Sequence, residues 1–221
     1  MSDSTDVAAA PRPALQLNGP VPDFKAKSTA GEIHLSEWQK GKWVILFSHP
    51  ADFTPVCTTE FMAFAKLEDE LTKRNVALLG NSVDSVYSHI AWIRNIKQNF
   101  GVDIRFPVIA DLDMKVSHAF GMIHAASSDT AAVRAVFFID PKRNLRAMIY
   151  YPLNVGRNFD EVLRVVDALQ TADKHGVACP ADWRPGDKVI VPPPLTAADA
   201  DKRVTQSEYD VTDWYFSKKS I

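Results

Sequence analysis

Two rhythms of apolar and polar positions alternate along this chain. Solid apolar runs, Trp43 to Phe47 and the AVFFI that follows Arg134, read as strands buried on both faces. Val76 to Val83 (VALLGNSV) is a third such run, Phe106 to Ile109 a shorter one, and Leu145 to Tyr150 returns beside AVFFI after a turn at Pro141 to Asn144. Between the runs the spacing becomes helical. Phe61, Phe64, Leu67 and Leu71 form one stripe; Trp92, Ile96 and Phe100 form another, with Trp92 expected in the core. Val162, Val165, Val166 and Leu169 form a third. Asp113 to Phe120 reads as a short helix stopped at Gly121, and Met122 to Ala132 as a small, polar loop free to vary. Phe24 to Lys27 and Ile33 to Leu35 suggest a hairpin turning at Ala30-Gly31.

Punctuation sharpens these elements. Thr54 suits an N-cap and Pro55 the first helical position, where a missing N–H costs nothing. Ser82, Asp84 or Ser85 caps the helix from Val86 to Phe100, and Gly101 ends it. Asn158 with Glu161 three residues later makes a capping-box pattern. His34 and His89 are expected to be solvated, and His118 has no evident role. Strands alternating with covering helices indicate a layered α/β domain.

The helix that begins at Pro55 carries the candidate chemistry. Its register puts Cys57 at the third helical position, four residues before Phe61. A sulfur there faces unpaired backbone N–H groups and the positive end of the helix dipole, which favour a thiolate. Spacing excludes several cysteine chemistries. A dithiol motif needs a second cysteine at position 54, which is Thr54, and a cysteine phosphatase needs arginine at position 63, which is Ala63. A Cys–His hydrolase has a base in His49 but no family signature around Cys57, and no ligand set has zinc spacing.

The stretch FSHPADFTPVCTTE resembles the peroxiredoxins, whose Pro-x-x-x-Thr/Ser-x-x-Cys motif is met by Pro50, Thr54 and Cys57. With His49 and Glu60 it is similar to the one-cysteine subfamily, the peroxiredoxin 6 group. The likeness continues through RAVFFIDP, YPLNVGRNFDEVLRVV and ADWRPGDKVIVPP, so it covers nearly everything from Leu15 onward. It implies a thioredoxin-like fold with a C-terminal extension. It also implies a thiol-dependent peroxidase acting on hydrogen peroxide and organic hydroperoxides through a Cys57 sulfenic acid. Arg134, by position an ordinary strand-end arginine, becomes the residue that binds the peroxide. Glu60, His49 and Arg157 become supporting residues near the sulfur. Neither cofactor nor metal is implied. A phospholipase activity known in some relatives rests on Gly-Asp-Ser; here Gln39 to Trp43 reads QKGKW and the upstream histidine position is Ser36, so that activity is not carried over.

Composition then bounds the rest. With 221 residues, 46% of them hydrophobic, the chain builds one sizeable domain, taken as residues 15–174, and an extension, 175–221, that the resemblance places at a homodimer interface. Residues 1–14 read as a mobile tail without the apolar core of a signal peptide. A net charge of −2 gives no reason to expect nucleic acid, and no apolar run is long enough to span a membrane. Two cysteines make no disulfide framework, so a reducing, cytoplasmic setting is expected. Cys179, in a Pro-flanked segment, is a weak candidate for a resolving cysteine; an external thiol, small or of the thioredoxin or glutaredoxin type, is the simpler reductant. Trp214-Tyr215-Phe216 near the end needs a surface to cover. Two other classes remain open on the sequence: a non-peroxidatic thiol oxidoreductase or redox sensor, and an oligomeric holdase.

Overall fold

The computed structural model describes residues 15–221, so the expected tail, 1–14, lies outside the described residues. The chain divides into two compact units between Arg157 and Asn158.

The first unit is built on a seven-stranded sheet. Its strands are β1 (Lys25–Ser28), β2 (Gly31–His34), β3 (Trp43–Ser48), β4 (Val76–Ser82), β5 (Val108–Ala110), β6 (Arg134–Ile139) and β7 (Leu145–Tyr151), in the spatial order β2-β1-β5-β4-β3-β6-β7. The helices are α1 (Leu35–Gln39), α2 (Pro55–Lys73), α3 (Val86–Phe100) and α4 (Lys115–Ala119). Every residue of β3 and β6 is buried, which explains their unbroken apolar runs. β3 runs parallel to β4 and antiparallel to β6. Alternate residues serve opposite faces. Val44 and Leu46 join a core with Leu35, Leu79, Phe120, Met122 and Phe137. On the other face Phe47 stacks on Phe64 of α2, ring centroids 4.0 Å apart, and meets Phe61 and Phe106 edge-on at 5.6 Å. Gly80, paired with Phe47, makes room for that ring: a Cβ there would lie 3.3 Å from the Phe47 ring and 3.4 Å from the Val108 methyls.

Several expectations need correction. Leu35 opens a short helix instead of ending a strand, and His34 is its N-cap residue, held between Asp23 at 2.9 Å and Glu37 at 3.0 Å, so it is not free in solvent. β5 begins after Pro107, which has no N–H for a ladder. α4 is shorter than expected because Met114 enters it in the left-handed region, φ 57°. Phe100 is exposed in the last turn before Gly101, beyond the buried Trp92 and Ile96. The loop from Met122 to Ala132 is anchored at both ends, since both residues are buried in the core. Leu67 is only half-buried, leaving Phe61, Phe64 and Leu71 as the inward stripe of α2.

The second unit, Asn158–Ile221, contains α5 (Phe159–His175), β8 (Val189–Ile190), α6 (Ala197–Arg203), β9 (Asp210–Asp213) and β10 (Phe216–Lys219). The Asn158 side chain caps α5 by accepting from the N–H groups of Asp160 and Glu161. Glu161 turns to Arg164 at 2.8 Å, so the capping box closes on one side only. The extension has a small core, Val177, Trp183 and Val189, packed with Ala168 of α5 and with Cys179, which explains why α5 groups with it. β8, β10 and β9 form a three-stranded sheet whose final turn leaves Trp214, Tyr215 and Phe216 exposed. No helix among the described residues is long and apolar enough to cross a membrane.

Candidate active site

The loop between β3 and α2 delivers the site. Helix α2 starts at Pro55, so Cys57 is its third residue, and the sulfur is fully buried. Thr54 holds the N-cap position, φ −104° and ψ 147°, but not the expected bond. Its hydroxyl donates to the Ala51 carbonyl at 2.9 Å instead of accepting from the helix, so the first-turn N–H groups stay uncapped by it. Thr58 donates to the Thr54 carbonyl at 2.8 Å and accepts from the Trp92 indole at 3.3 Å, which ties the start of α2 to α3. Pro50 is buried in the loop.

Arg134, at the head of β6, points inward and is 2% exposed. Its Nη1 donates to Cys57 Sγ at 3.3 Å and to Glu60 Oε2 at 2.6 Å, and its Nε donates to the Leu153 carbonyl at 2.9 Å. Glu60 lies one turn below the sulfur on α2 and is also 2% exposed. The same Oε2 accepts from Arg157 Nη1 at 2.7 Å, while Oε1 accepts the Arg157 backbone N–H at 3.0 Å. Arg157 Nη2 donates to the carbonyls of Ser48 and Ala135, the latter at 3.1 Å. Both carbonyls belong to the central strands, so the guanidinium is locked to the sheet. Burial pushes the Arg157 guanidinium down to about 10, against the opposing charge of Glu60, which leaves it a cation at neutral pH. Two buried cations therefore face one carboxylate. The excess positive charge is placed to accompany an anionic sulfur.

The structure thus brings together Cys57, Arg134, Glu60 and Arg157, with Thr54 and Pro50 in the adjoining loop. Arg157, which by position alone reads as a surface residue, is buried. Cys179 belongs to the second unit, where its thiol donates to the Ala168 carbonyl at 3.5 Å; burial raises that thiol, partly countered by Arg164. Both cysteines are free.

His49 is buried beside this group and has neighbours that the sequence reading missed. Asp52 accepts from His49 at 2.8 Å and from His89 of α3 at 2.8 Å. His89, expected to be solvated, is fully buried. The signal was present: His89 precedes Trp92 by three residues and Ile96 by seven, which is the inward face of α3. Burial pushes the His49 imidazole down, against its bond to Asp52. Burial would raise the Asp52 carboxyl, but the bonds and charges of both histidines outweigh it and hold the group well below the usual carboxylate range.

Comparison with known proteins gives the site a context. Residues 17–148 match the model of the AhpC/TSA family, and residues 168–207 match the C-terminal domain of 1-Cys peroxiredoxin. The chain is 56% identical over 226 residues to a peroxiredoxin of Aquifex aeolicus, covering 98% of this chain and 100% of the relative. It is 54% identical over 207 residues to peroxiredoxin 2 of Caldanaerobacter subterraneus, covering 93% of each. Among solved structures, a yeast mitochondrial 1-Cys peroxiredoxin superimposes with a TM-score of 0.82 at 42% identity, covering 94% of this chain and 100% of that one. A cysteine-to-serine mutant of peroxiredoxin 6 from Arenicola marina gives 0.82 at 37% identity, covering 94% and 98%.

The two shifts around Asp52 fix the sign of an acid response. A histidine held neutral by burial takes up a proton on unfolding, so its contribution is present above the ordinary value of 6.5 and falls away as pH drops below it. Asp52, shifted down, adds a second loss as pH falls below the ordinary 3.8. Melting temperature is therefore expected to be level above about pH 7 and to decline on acidification. Calorimetry at constant ionic strength checks this, and equal stability at pH 5 and pH 7.5 would contradict a neutral, buried His49.

Proposed function

The chain belongs to the one-cysteine branch of the peroxiredoxin family and is a thiol-dependent peroxidase, and from that premise we propose that Cys57 is the residue its hydroperoxide substrate oxidises. The observation that carries this reading is the Arg134 guanidinium 3.3 Å from the Cys57 sulfur, fixed there by Glu60 and the Leu153 carbonyl. The thiolate attacks the terminal oxygen of the peroxide. An S–O bond forms as the O–O bond breaks, sulfur gives up two electrons, and the departing oxygen leaves as alkoxide or hydroxide and takes a proton. Arg134 supplies charge-assisted N–H donors where negative charge moves from sulfur to the leaving oxygen. Thr54 contributes a hydroxyl oxygen able to accept, its own hydrogen being committed to Ala51. Glu60 and Arg157 hold Arg134 in register, and Pro50 walls the loop.

The sulfenic acid is then reduced by an external thiol, which attacks the sulfur, expels water and leaves a mixed disulfide for a second thiol to cleave. The yeast mitochondrial relative is described as resolved through glutathione and thioredoxin systems, which supports this order of events. Cys179 supports it too: its raised, half-buried thiol is poorly placed to supply a thiolate. The same reading puts the protein in the cytoplasm as a homodimer, with the exposed Trp214, Tyr215 and Phe216 as part of the contact surface.

Arg134→Ala is expected to slow Cys57 oxidation by roughly 10–1000-fold, and Arg134→Lys to restore only part, because an ammonium cannot replace the planar fork. Stopped-flow oxidation by hydrogen peroxide measures both, and an unchanged rate in the alanine variant would remove Arg134 from the mechanism.

Cys57→Ser should lose thiol-dependent peroxide removal while keeping its fold. After one equivalent of peroxide, a dimedone-type reagent should label Cys57 equally in wild type and Cys179→Ser. A rapid, high-yield Cys57–Cys179 disulfide on peptide mapping would instead make this a two-cysteine enzyme.

Deleting residues 210–221 should weaken self-association, seen as a lower sedimentation coefficient or an earlier melt. Sedimentation and melting identical to the full chain would exclude the aromatic turn from the interface.

A further inference from the structure

Ser48 is the last residue of β3 and is fully buried. The register between β3 and β6 pairs Val44 with Ile139, Ile45 with Phe138, Leu46 with Phe137 and Phe47 with Val136, and there it stops. The next pair in that register is Ser48 with Ala135. The His49 N–H is turned to the Asn81 carbonyl of β4 at 3.0 Å, so the main-chain groups of Ser48 face β6. In a continued ladder the Ala135 N–H would donate to the Ser48 carbonyl.

The side chain intervenes. The Ala135 N–H donates to the Ser48 hydroxyl at 3.1 Å, and that hydroxyl gives its own hydrogen to the Val133 carbonyl at 2.5 Å. One hydroxyl thus satisfies two buried main-chain groups of the opposite segment. The Ser48 carbonyl, set free of the ladder, accepts from Arg157 Nη2, and the same nitrogen donates to the Ala135 carbonyl at 3.1 Å. The guanidinium spans the two residues that the ladder would have paired next, and it lies 5.7 Å from the centre of the Phe47 ring.

This placement reaches the sulfur through an unbroken series of contacts. Arg157 Nη1 donates to Glu60 Oε2 at 2.7 Å, the same oxygen accepts from Arg134 Nη1 at 2.6 Å, and Arg134 Nη1 lies 3.3 Å from Cys57 Sγ. Arg157 Nε is buried without a hydrogen-bond partner among the described residues, so the orientation of the guanidinium rests on Nη1 and Nη2.

We propose that Ser48 is a positioning residue for peroxide reduction: by taking the Ala135 N–H on its side chain it frees its own carbonyl to hold Arg157, and through Arg157 and Glu60 it sets Arg134 against the sulfur. The proposal rests on the peroxidatic reading of Cys57. Without the hydroxyl, the buried Ala135 N–H needs another acceptor and turns to the Ser48 carbonyl. The ladder then closes by one more pair and Arg157 Nη2 loses its hold. Small displacements are enough, since misplacing an aligning group by about 1 Å costs on the order of 100-fold in rate.

Ser48→Ala is the discriminating change, read together with Arg157→Met in a double-mutant cycle. With Arg157 present, Ser48→Ala is expected to slow oxidation of Cys57 by hydrogen peroxide roughly 10–100-fold in stopped flow. In the Arg157→Met background there is no guanidinium left to place, and adding Ser48→Ala should change the rate by less than about twofold. ¹⁵N spectra of arginine-labelled, reduced protein supply a signature that general loosening does not: the Arg157 Nη groups are separately resolved in wild type and merged by rotation in Ser48→Ala. A wild-type Arg157 that already rotates freely overturns the proposal without any variant. So does a Ser48→Ala protein that reacts within about twofold of wild type, one that keeps Arg157 held, or one whose loss is equally large in both backgrounds. If Ser48→Ala does not fold, Ser48→Gly lacks the same hydroxyl and carries the same expectations. A wild type inert to peroxide overturns the reading beneath, whereas a reactive wild type indifferent to the loss of the Ser48 hydroxyl overturns this proposal alone.

Discussion

A single carboxylate, Glu60, organises the reactive end of this protein. It lies inside the fold with two guanidinium groups on one oxygen and a backbone N–H on the other. Taking three charges out of water is costly, and buried ion pairs of this kind are poor sources of net stability. Removing one member is worse still, since it strands the others without compensation. The cluster therefore serves placement more than stability. Glu60 is on α2, Arg134 heads β6 and Arg157 ends the first unit, so one group holds three separate parts of the chain in register around the sulfur. The carbonyls of Ser48 and Ala135 take Arg157 Nη2 and the Leu153 carbonyl takes Arg134 Nε, while Arg157 Nε is buried without a hydrogen-bond partner among the described residues.

The charge count then bears on chemistry. Two cations and one anion give the cluster a net positive charge, and Cys57 is the group that faces it. Because Arg134 Nη1 donates to both the sulfur and Glu60, its direction toward the sulfur is fixed in advance. Such donors act by not having to reorganise as charge moves. Thr54 fits the same pattern: by turning its hydrogen to Ala51 it leaves the helix N–H groups uncapped at the end where the sulfur lies.

Much of this was legible in the sequence, for identifiable reasons. β3, the proline loop and α2 announce themselves through an unbroken apolar run, a Thr-Pro start and a helical stripe, and the local pattern and the tertiary structure agree. Cys57 and Arg134 were legible through the family motif, and geometry then gave each a partner. What stayed hidden was pairing across long separations. Nothing local says that Glu60 meets an arginine 97 residues away or that Asp52 meets a histidine 37 residues away. Charged and imidazole side chains default to solvent when read singly, so His89 was placed outside although it is buried, and Arg157 was brought to the sulfur only by the resemblance. The missed α1 and the shortened α4 have a different cause: five-residue helices carry too few turns for periodicity to register.

These two hidden pairings suggest how the site divides its work. The Glu60 cluster joins α2, β6 and the end of the first unit around the sulfur, and its two cations outnumber its one carboxylate. The Asp52 cluster joins the loop between β3 and α2 to α3 through hydrogen bonds to two buried histidines. By this reasoning the loop from Ser48 to Pro55 is shaped from both sides, with Arg157 on the Ser48 carbonyl and His89 on the Asp52 carboxylate.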